Sequence, residues 1–261
     1  MMETETLKKT PLLHHLVELR RRLLYCLGFF LLVFAVSYFY VEPIYQLLQQ
    51  PLLVALGENS DRRMIYTGLH EAFFTYLKLS FFNALFFTLP LILIQLWKFI
   101  APGLYAHEQR SLSPLFLLTP VLFVAGAALA FYVVIPLAWE FFVSFETQNG
   151  GSMMRVELEA RVSEYLGLII KLVLAFGLSF ELPILLLVMA KAGIVTSLSL
   201  KEHRKHAIVG VFFFAALITP PDLISQVALG LPIVLLYELS ILIIQWTKSD
   251  QQTLHRQSLR T

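Results

Sequence analysis

Residues 165–190 read YLGLIIKLVLAFGLSFELPILLLVMA, a stretch in which only Lys171 and Glu181 carry charge. An α-helix of this length extends about 39 Å, which exceeds the roughly 30 Å of hydrocarbon in a bilayer. The apolar residues follow one another without the alternation that is typical of a barrel strand. This stretch therefore predicts a transmembrane helix.

The same pattern recurs along the chain and predicts an all-α integral membrane protein with six transmembrane helices. The expected spans cover residues 23–41, 73–96, 115–138, 165–190, 207–223 and 227–246. The fifth is continuously apolar only over residues 207–217, so we expect a short helix and locally thinned bilayer around it. The whole chain, 1–261, is predicted as one membrane domain that ends in a variable cytoplasmic tail at 248–261.

The composition excludes several classes of protein. Hydrophobic residues make up 57% of the chain and charged residues only 15%, whereas soluble domains carry about 25% charged residues. A soluble enzyme, a disordered scaffold and a disulfide-stapled secreted domain do not fit, the last because Cys26 is the single cysteine. A net charge of +2 argues against nucleic acid as a partner. We expect neither a metal nor another cofactor.

The distribution of Lys and Arg predicts the orientation. Both tails and the two loops on their side carry 14 of these residues, whereas the opposite side carries only Arg62, Arg63, Arg155 and Arg161. Positive residues accumulate on the cytoplasmic side. Both termini are therefore expected in the cytoplasm, and the first span is expected to remain as an anchor because its apolar run is too long for a signal peptide.

Two features predict the shape of the protein. Ile44, Leu47, Leu48 and Leu52 fall at helical spacing in the first outer loop, which predicts a short amphipathic helix on the outer surface. Prolines follow leucines in spans two, four and six, where they are expected to kink the helices and form a concave surface.

Ionisable residues inside spans mark functional sites because each is costly to place in hydrocarbon. Glu181 lies deep in span four, just before a proline, and we interpret it as functional. Lys78, Lys171 and Glu238 are interpreted as snorkelling residues or as interhelical polar contacts.

Two acidic residues, Glu18 and Glu108, stand on the otherwise basic cytoplasmic face. One interpretation is local charge balance, in which Glu18 pairs with Arg21 or Arg22 at helical spacing. The other is an acidic site for a ligand that carries guanidinium groups, because carboxylates match the paired donors of arginine.

No catalytic motif is recognisable, so an enzyme is not expected. A proton- or ion-coupled secondary transporter that uses Glu181 remains the alternative function. A transporter would need several polar groups inside the spans and a repeat architecture. The chain instead offers one deep carboxylate, and its Leu-Pro pairs are too irregularly spaced to indicate a repeat.

Four motifs, in order and spread over roughly residues 12–246, resemble the signatures of the TatC family, the core subunit of the twin-arginine protein translocase. They read HLVELRRR at 15–22, FIAPGLYAHE at 99–108, FGLSFELP at 176–183 and TPPDLISQ at 219–226.

The resemblance implies a receptor in the bacterial cytoplasmic (inner) membrane that binds twin-arginine signal peptides of folded proteins. It implies single-span TatA- and TatB-type partners, contact with lipid, self-association in the complex and transport driven by the proton-motive force. Matched to the family, Glu18 and Glu108 would bind the arginine pair, bordered by Arg20 and Phe99. The remaining matched positions would be Glu181 in the membrane pocket, Pro51 in the outer cap, and Asp222 and Gln226 near a partner helix.

Overall fold

The computed structural model describes residues 12–56, 64–100, 106–146, 159–219 and 223–258. These residues are helical apart from short connections and one isolated parallel bridge between Ile65 and Arg161, which confirms the predicted all-α fold. The α-helices are α1 Leu12–Phe39, α2 Val41–Leu56, α3 Glu71–Ile100, α4 Ala106–Leu129, α5 Ile135–Val143, α6 Val162–Ser179, α7 Leu182–Lys191, α8 Ser197–Glu202, α9 Arg204–Ile218 and α10 Leu223–Ser258.

Five helical stretches of the described residues are long and apolar enough to cross a membrane. They are Leu16–Phe39, Glu71–Phe99, Leu117–Val143, Val162–Lys191 and Leu223–Trp246. The short fifth segment of the sequence corresponds to α9, whose 15 residues extend only about 22 Å. This helix ends at Ile218, earlier than the expected limit of residue 223, because Thr219 precedes a proline and is extended.

Two of the long stretches are interrupted where a proline cannot continue the helix. Between α4 and α5 the chain forms a π-helical turn, Ala130–Val134, just before Pro136. Between α6 and α7 the helix breaks at Phe180 and Glu181, because Pro183 lacks an N–H and its ring clashes with the carbonyl four residues earlier. Pro90 and Pro232, in contrast, lie inside the unbroken helices α3 and α10.

The core is centred on α6, which packs closely against α4. Phe176 of α6 and Phe123 of α4 are both fully buried. The two helices approach at Gly126 and Gly177: a Cβ on Gly126 would lie 2.5 Å from the carbonyl oxygen of Phe176. We call the end of the bundle where α1 begins the N-terminal end and the opposite end the far end.

The expected amphipathic helix is present as α2, at the far end of the bundle. Pro51 and Leu52 are buried against the core, whereas Leu47 and Val54 are exposed. Tyr165, at the start of α6, donates a hydrogen bond to the carbonyl of Leu48 and ties the two helices together.

Candidate functional site

Glu18 lies on α1 at the N-terminal end and is paired with an arginine of the same helix. Its Oε1 atom accepts hydrogen bonds from both Nε and Nη2 of Arg22, at 3.1 and 2.6 Å. The side chains of Glu18 and Arg22 are 33% and 23% exposed, so the pair is accessible to water and to a ligand. Of the two local pairings considered from the sequence, the structure has the one with Arg22, since Arg21 donates to the hydroxyl of Tyr25 at 3.2 Å.

Arg22 also connects α1 to α3. Its Nη1 atom donates to Oε1 of Gln95 at 2.7 Å, across 73 positions of sequence. The guanidinium group therefore holds one carboxylate and one amide at once, and Glu18 faces the junction between the two helices.

The structure describes the side chains of two of the other three residues expected on this face. Arg20 is exposed on α1, and Phe99 is half-buried in the last turn of α3. Glu108 lies in the first turn of α4, which follows α3 after residues 101–105, but its side chain lies outside the described part of the chain.

An apolar groove of about 590 Å³ opens between α1, α2, α3, α4 and α6, in the half of the bundle towards the far end. Phenylalanines of α3, small residues of α4 and aromatic residues of the π-helical turn form much of its wall, including Phe82, Phe86, Phe87, Ala128 and Phe131. Its amide residue, Asn83, donates to the hydroxyl of Ser37 at 2.8 Å. The groove thus offers an almost wholly apolar surface.

The groove and the Glu18 pair lie along the same two helices. On α3, the groove residues Leu79 and Phe87 lie about 24 and 12 Å along the axis from Gln95. On α1, Val36 lies about 21 Å from Arg22. A ligand with a cationic end at Glu18 would therefore reach the groove with an apolar segment of about 8 to 16 helical residues.

Glu181 lies at the break between α6 and α7 and is only 5% exposed. Both oxygens of its carboxylate are buried and have no hydrogen-bond partner among the described residues. Ile184 and Val188, in the following turns of α7, form a buried apolar cluster with Trp97 of α3. Glu181 is thus buried within the protein, and its functional role stays a prediction.

The remaining ionisable residues of the spans differ in their surroundings. Glu238 of α10 accepts a hydrogen bond of 2.7 Å from Arg204 of α9, which confirms an interhelical polar contact. Lys78 and Lys171 are exposed on the surface of the bundle, and their snorkelling stays a prediction.

The expected partner-contact residues lie in two places. Gln226 of α10 donates to the carbonyl of Phe212 on α9 at 3.1 Å, so it helps to close the hairpin of these helices. Asp222 lies outside the described residues. Pro51 is buried in α2, and its role in an outer cap stays a prediction.

Sequence reasoning did not identify Gln95 or the polar cluster around Glu71 at the far end. Glu71 Oε2 accepts the backbone N–H groups of Thr67 and Gly68 at 2.8 and 3.2 Å, and Oε1 accepts the hydroxyl of Ser163 at 2.5 Å. Arg161 lies 3.7 Å from the same carboxylate. Polar residues at a span boundary were the available signal, but their pairing depends on how the helices are aligned.

The chain is similar to proteins of one named group. The family model described as Sec-independent protein translocase protein (TatC) matches residues 14–232. Proteins of that name from Magnetococcus marinus, Rickettsia prowazekii and Escherichia coli K12 are 46%, 43% and 37% identical. These alignments cover 92%, 91% and 88% of this chain and 86%, 93% and 86% of the respective relatives.

A solved structure is similar over nearly the same region. It is described as the crystal structure of the twin arginine translocase receptor TatC, with a TM-score of 0.76 and 35% sequence identity. The match covers 90% of this chain and 99% of that one.

Proposed function

Because the chain belongs to the TatC family of Sec-independent protein translocase proteins, we propose that it is the receptor for twin-arginine signal peptides of folded proteins. The family membership confirms the resemblance seen in the four sequence motifs. In this proposal the N-terminal end of the bundle faces the cytoplasm of a bacterium, the protein lies in the cytoplasmic (inner) membrane, and both termini are cytoplasmic. The protein acts by binding and assembly and does not catalyse a reaction.

The observation that carries the proposal is the geometry of Glu18. Its carboxylate already accepts two N–H groups from a guanidinium, that of Arg22, so its position and exposure suit a guanidinium ligand. Charge-assisted bonds of this kind are stronger than neutral ones. Glu108 would bind the second arginine of the pair, and Arg20 and Phe99 would border the site.

The apolar groove supports the second half of the proposal. A signal peptide continues from its arginines into an apolar stretch, and the groove begins about 12 Å beyond Gln95 on α3. Burial of apolar surface would add affinity without requiring any specific apolar sequence.

Assembly completes the proposed function. Single-span TatA- and TatB-type subunits would bind the short hairpin of α9 and α10 near Gln226 and Asp222, and the complex would contain several copies of this chain. Transport would draw on the proton-motive force, with Glu181 as the polar residue of the membrane pocket and Pro51 as part of the outer cap. A secondary transporter is not favoured, because the relatives are named as protein translocase components.

Crosslinking in membranes tests the receptor site. A twin-arginine signal peptide with a photoreactive group would be compared on the parent protein, Glu18→Ala and Glu108→Ala, with a twin-lysine peptide as control. We expect each substitution to weaken arginine-dependent crosslinking about tenfold, since Glu18 is one-third exposed and its contact only partly desolvated. Glu202→Ala, which changes an exposed carboxylate at the end of α8, controls for loss of negative charge.

Crosslinks that do not depend on arginine, or that survive both substitutions, would contradict the proposed site. If Glu18→Ala and Glu108→Ala lose no more crosslinking than Glu202→Ala does, the effect comes from net charge alone.

A further inference from the structure

We propose that Arg22 is an internal competitor for the Glu18 carboxylate, which an arginine of the signal peptide must displace in order to bind. This inference deepens the proposed function and rests on it. It assigns a role to a residue that neither borders nor contacts the ligand in the proposal above.

The first argument is that Arg22 makes the bonds that a ligand arginine would make. Its Nε and Nη2 atoms both donate to Oε1 of Glu18, at 3.1 and 2.6 Å. An incoming guanidinium that used the same oxygen would meet Arg22 there, and two positive groups cannot share this oxygen at similar distances without repulsion. A guanidinium that binds this oxygen therefore requires Arg22 to move away.

The second argument is that the contact can open at little cost. Glu18 and Arg22 lie four residues apart on one helix, so rotation of side chains separates them and the backbone stays in place. Both side chains are partly exposed, and ion pairs of this kind are only weakly stabilising. The closed and open forms are therefore close in population.

The third argument is that Gln95 favours the closed form. It accepts a hydrogen bond of 2.7 Å from Nη1 of Arg22, which leaves the Nε and Nη2 edge of the guanidinium turned towards Glu18. Gln95 thus orients the competitor from the neighbouring helix without any charge of its own.

Competition of this kind sets a threshold for binding. The apparent dissociation constant equals the intrinsic one divided by the fraction of receptor in which Glu18 is released. That fraction is the same for every ligand that uses Glu18, so Arg22 weakens twin-arginine and twin-lysine peptides by the same factor. Peptides with weak intrinsic affinity would then fail to occupy the receptor.

The test measures the affinity of both peptides for the full-length protein in lipid nanodiscs. Arg22→Met removes the competitor, and Arg21→Met is the matched control. Arg21 is the adjacent exposed residue, its replacement removes the same charge, and its side chain donates to Tyr25 and not to Glu18. We expect Arg22→Met to bind the twin-arginine peptide about two- to sixfold more tightly than Arg21→Met does.

A second variant avoids a change of charge. Gln95→Leu removes only the bond that orients Arg22, and we expect a smaller gain in the same direction. In both variants the ratio between the affinities for twin-arginine and twin-lysine peptides should stay as in the parent. In the Glu18→Ala background, Arg22→Met should give no gain over Arg21→Met, because there is no carboxylate to release.

Three outcomes would overturn the inference. Weaker binding by Arg22→Met, or a lower ratio between the two affinities, would mean that Arg22 positions Glu18 for the ligand. Equal affinity of Arg22→Met and Arg21→Met would mean that only net charge matters. If Glu18→Ala leaves peptide binding unchanged in the parent, the proposed function itself fails, and that result is distinct from the first two.

Discussion

The hydroxyl of Tyr165 on α6 donates a 2.6 Å hydrogen bond to the backbone carbonyl of Leu48 on α2, across 117 positions of sequence. Tyr165 is 2% exposed, and its ring lies 5.0 Å from that of Trp139 on α5. The bond therefore fixes the amphipathic helix α2 over the end of the core, where α2 also contributes Ile44 and Leu47 to the wall of the groove.

The first prediction removes that bond. Tyr165→Phe keeps the ring but leaves the carbonyl of Leu48 without this donor, so we expect the protein to be destabilised by about 1 kcal/mol. Thermal unfolding of the purified protein in detergent measures the change. Tyr66→Phe, at a tyrosine that is 63% exposed, should have almost no effect, and equal losses in both variants would contradict the role of the bond.

The second prediction concerns Glu71, which binds the loop before α3 and the start of α6 at once. Glu71→Gln keeps one accepting oxygen for the N–H groups of Thr67 and Gly68, and its amide NH2 can donate to the hydroxyl of Ser163. It removes the negative charge that strengthens these bonds and faces Arg161. We expect the melting temperature to fall by about 2–4 °C. Protease cleavage within residues 64–70 should become faster, since the attachment of this loop is weakened.

Glu164→Gln is the control for Glu71→Gln. Glu164 is 71% exposed and pairs with Arg161 at 3.1 Å, and exposed pairs of this kind contribute little to stability. If Glu164→Gln lowers the melting temperature as much as Glu71→Gln does, the loss comes from the charge near Arg161. The bonds from Thr67 and Gly68 to Glu71 would then not account for it.

The third prediction tests the close approach of α4 and α6. Gly126→Ala would place a methyl group 2.5 Å from the carbonyl oxygen of Phe176 and 2.8 Å from the ring of Phe180. A backbone carbonyl in a packed helix cannot move away without separating the helices, so we expect a loss of about 1–3 kcal/mol.

Gly167→Ala is the matched control for Gly126→Ala. A Cβ on Gly167, also within a helix, would meet nothing within 4 Å. Its replacement should be neutral or slightly stabilising, because alanine favours helix more than glycine does. Thermal unfolding of both variants in detergent decides the point, and a stable Gly126→Ala protein would show that the helices can separate there.

Much of the fold could be predicted because its determinants are local. A long apolar run is sufficient to indicate a transmembrane helix, and the periodicity of Ile44, Leu47 and Leu48 indicated α2. The π-helical turn at Ala130–Val134 was missed, although Pro136 marks the place where a regular helix meets steric conflict. Proline shows where a helix is disturbed but not which form the disturbance takes.

The candidate site could be predicted only in part, for a related reason. Helical spacing was enough to propose Arg22 as a partner of Glu18, because both residues lie on one helix. The bond from Arg22 to Gln95 joins two helices through residues that are 73 positions apart in the sequence. The bond from Ser163 to Glu71 does the same across 92 positions. Such contacts depend on the axial alignment of two helices, which no local pattern of residues determines.

The final prediction tests whether the groove receives the apolar part of a signal peptide. Ala128 lines the groove, whereas Ala125, on the same helix α4, is exposed and outside it. Ala128→Phe would fill part of the groove and remove apolar surface that the peptide would otherwise bury. We expect affinity for a twin-arginine peptide to fall about four- to fifteenfold, which corresponds to the loss of burial of one or two methylene groups.

Ala125→Phe adds the same side chain three residues earlier on α4, at an exposed position that does not line the groove, and should leave the affinity unchanged. The preference for arginine over lysine should persist in both variants, because the Glu18 pair lies about 21 Å from the groove along α1. If the peptide binds the Ala128→Phe variant as tightly as it binds the parent protein, its apolar stretch lies elsewhere on the bundle. A peptide that loses its preference for arginine would instead mean that the two parts of the surface do not bind independently, since a change in the groove would then alter recognition at Glu18.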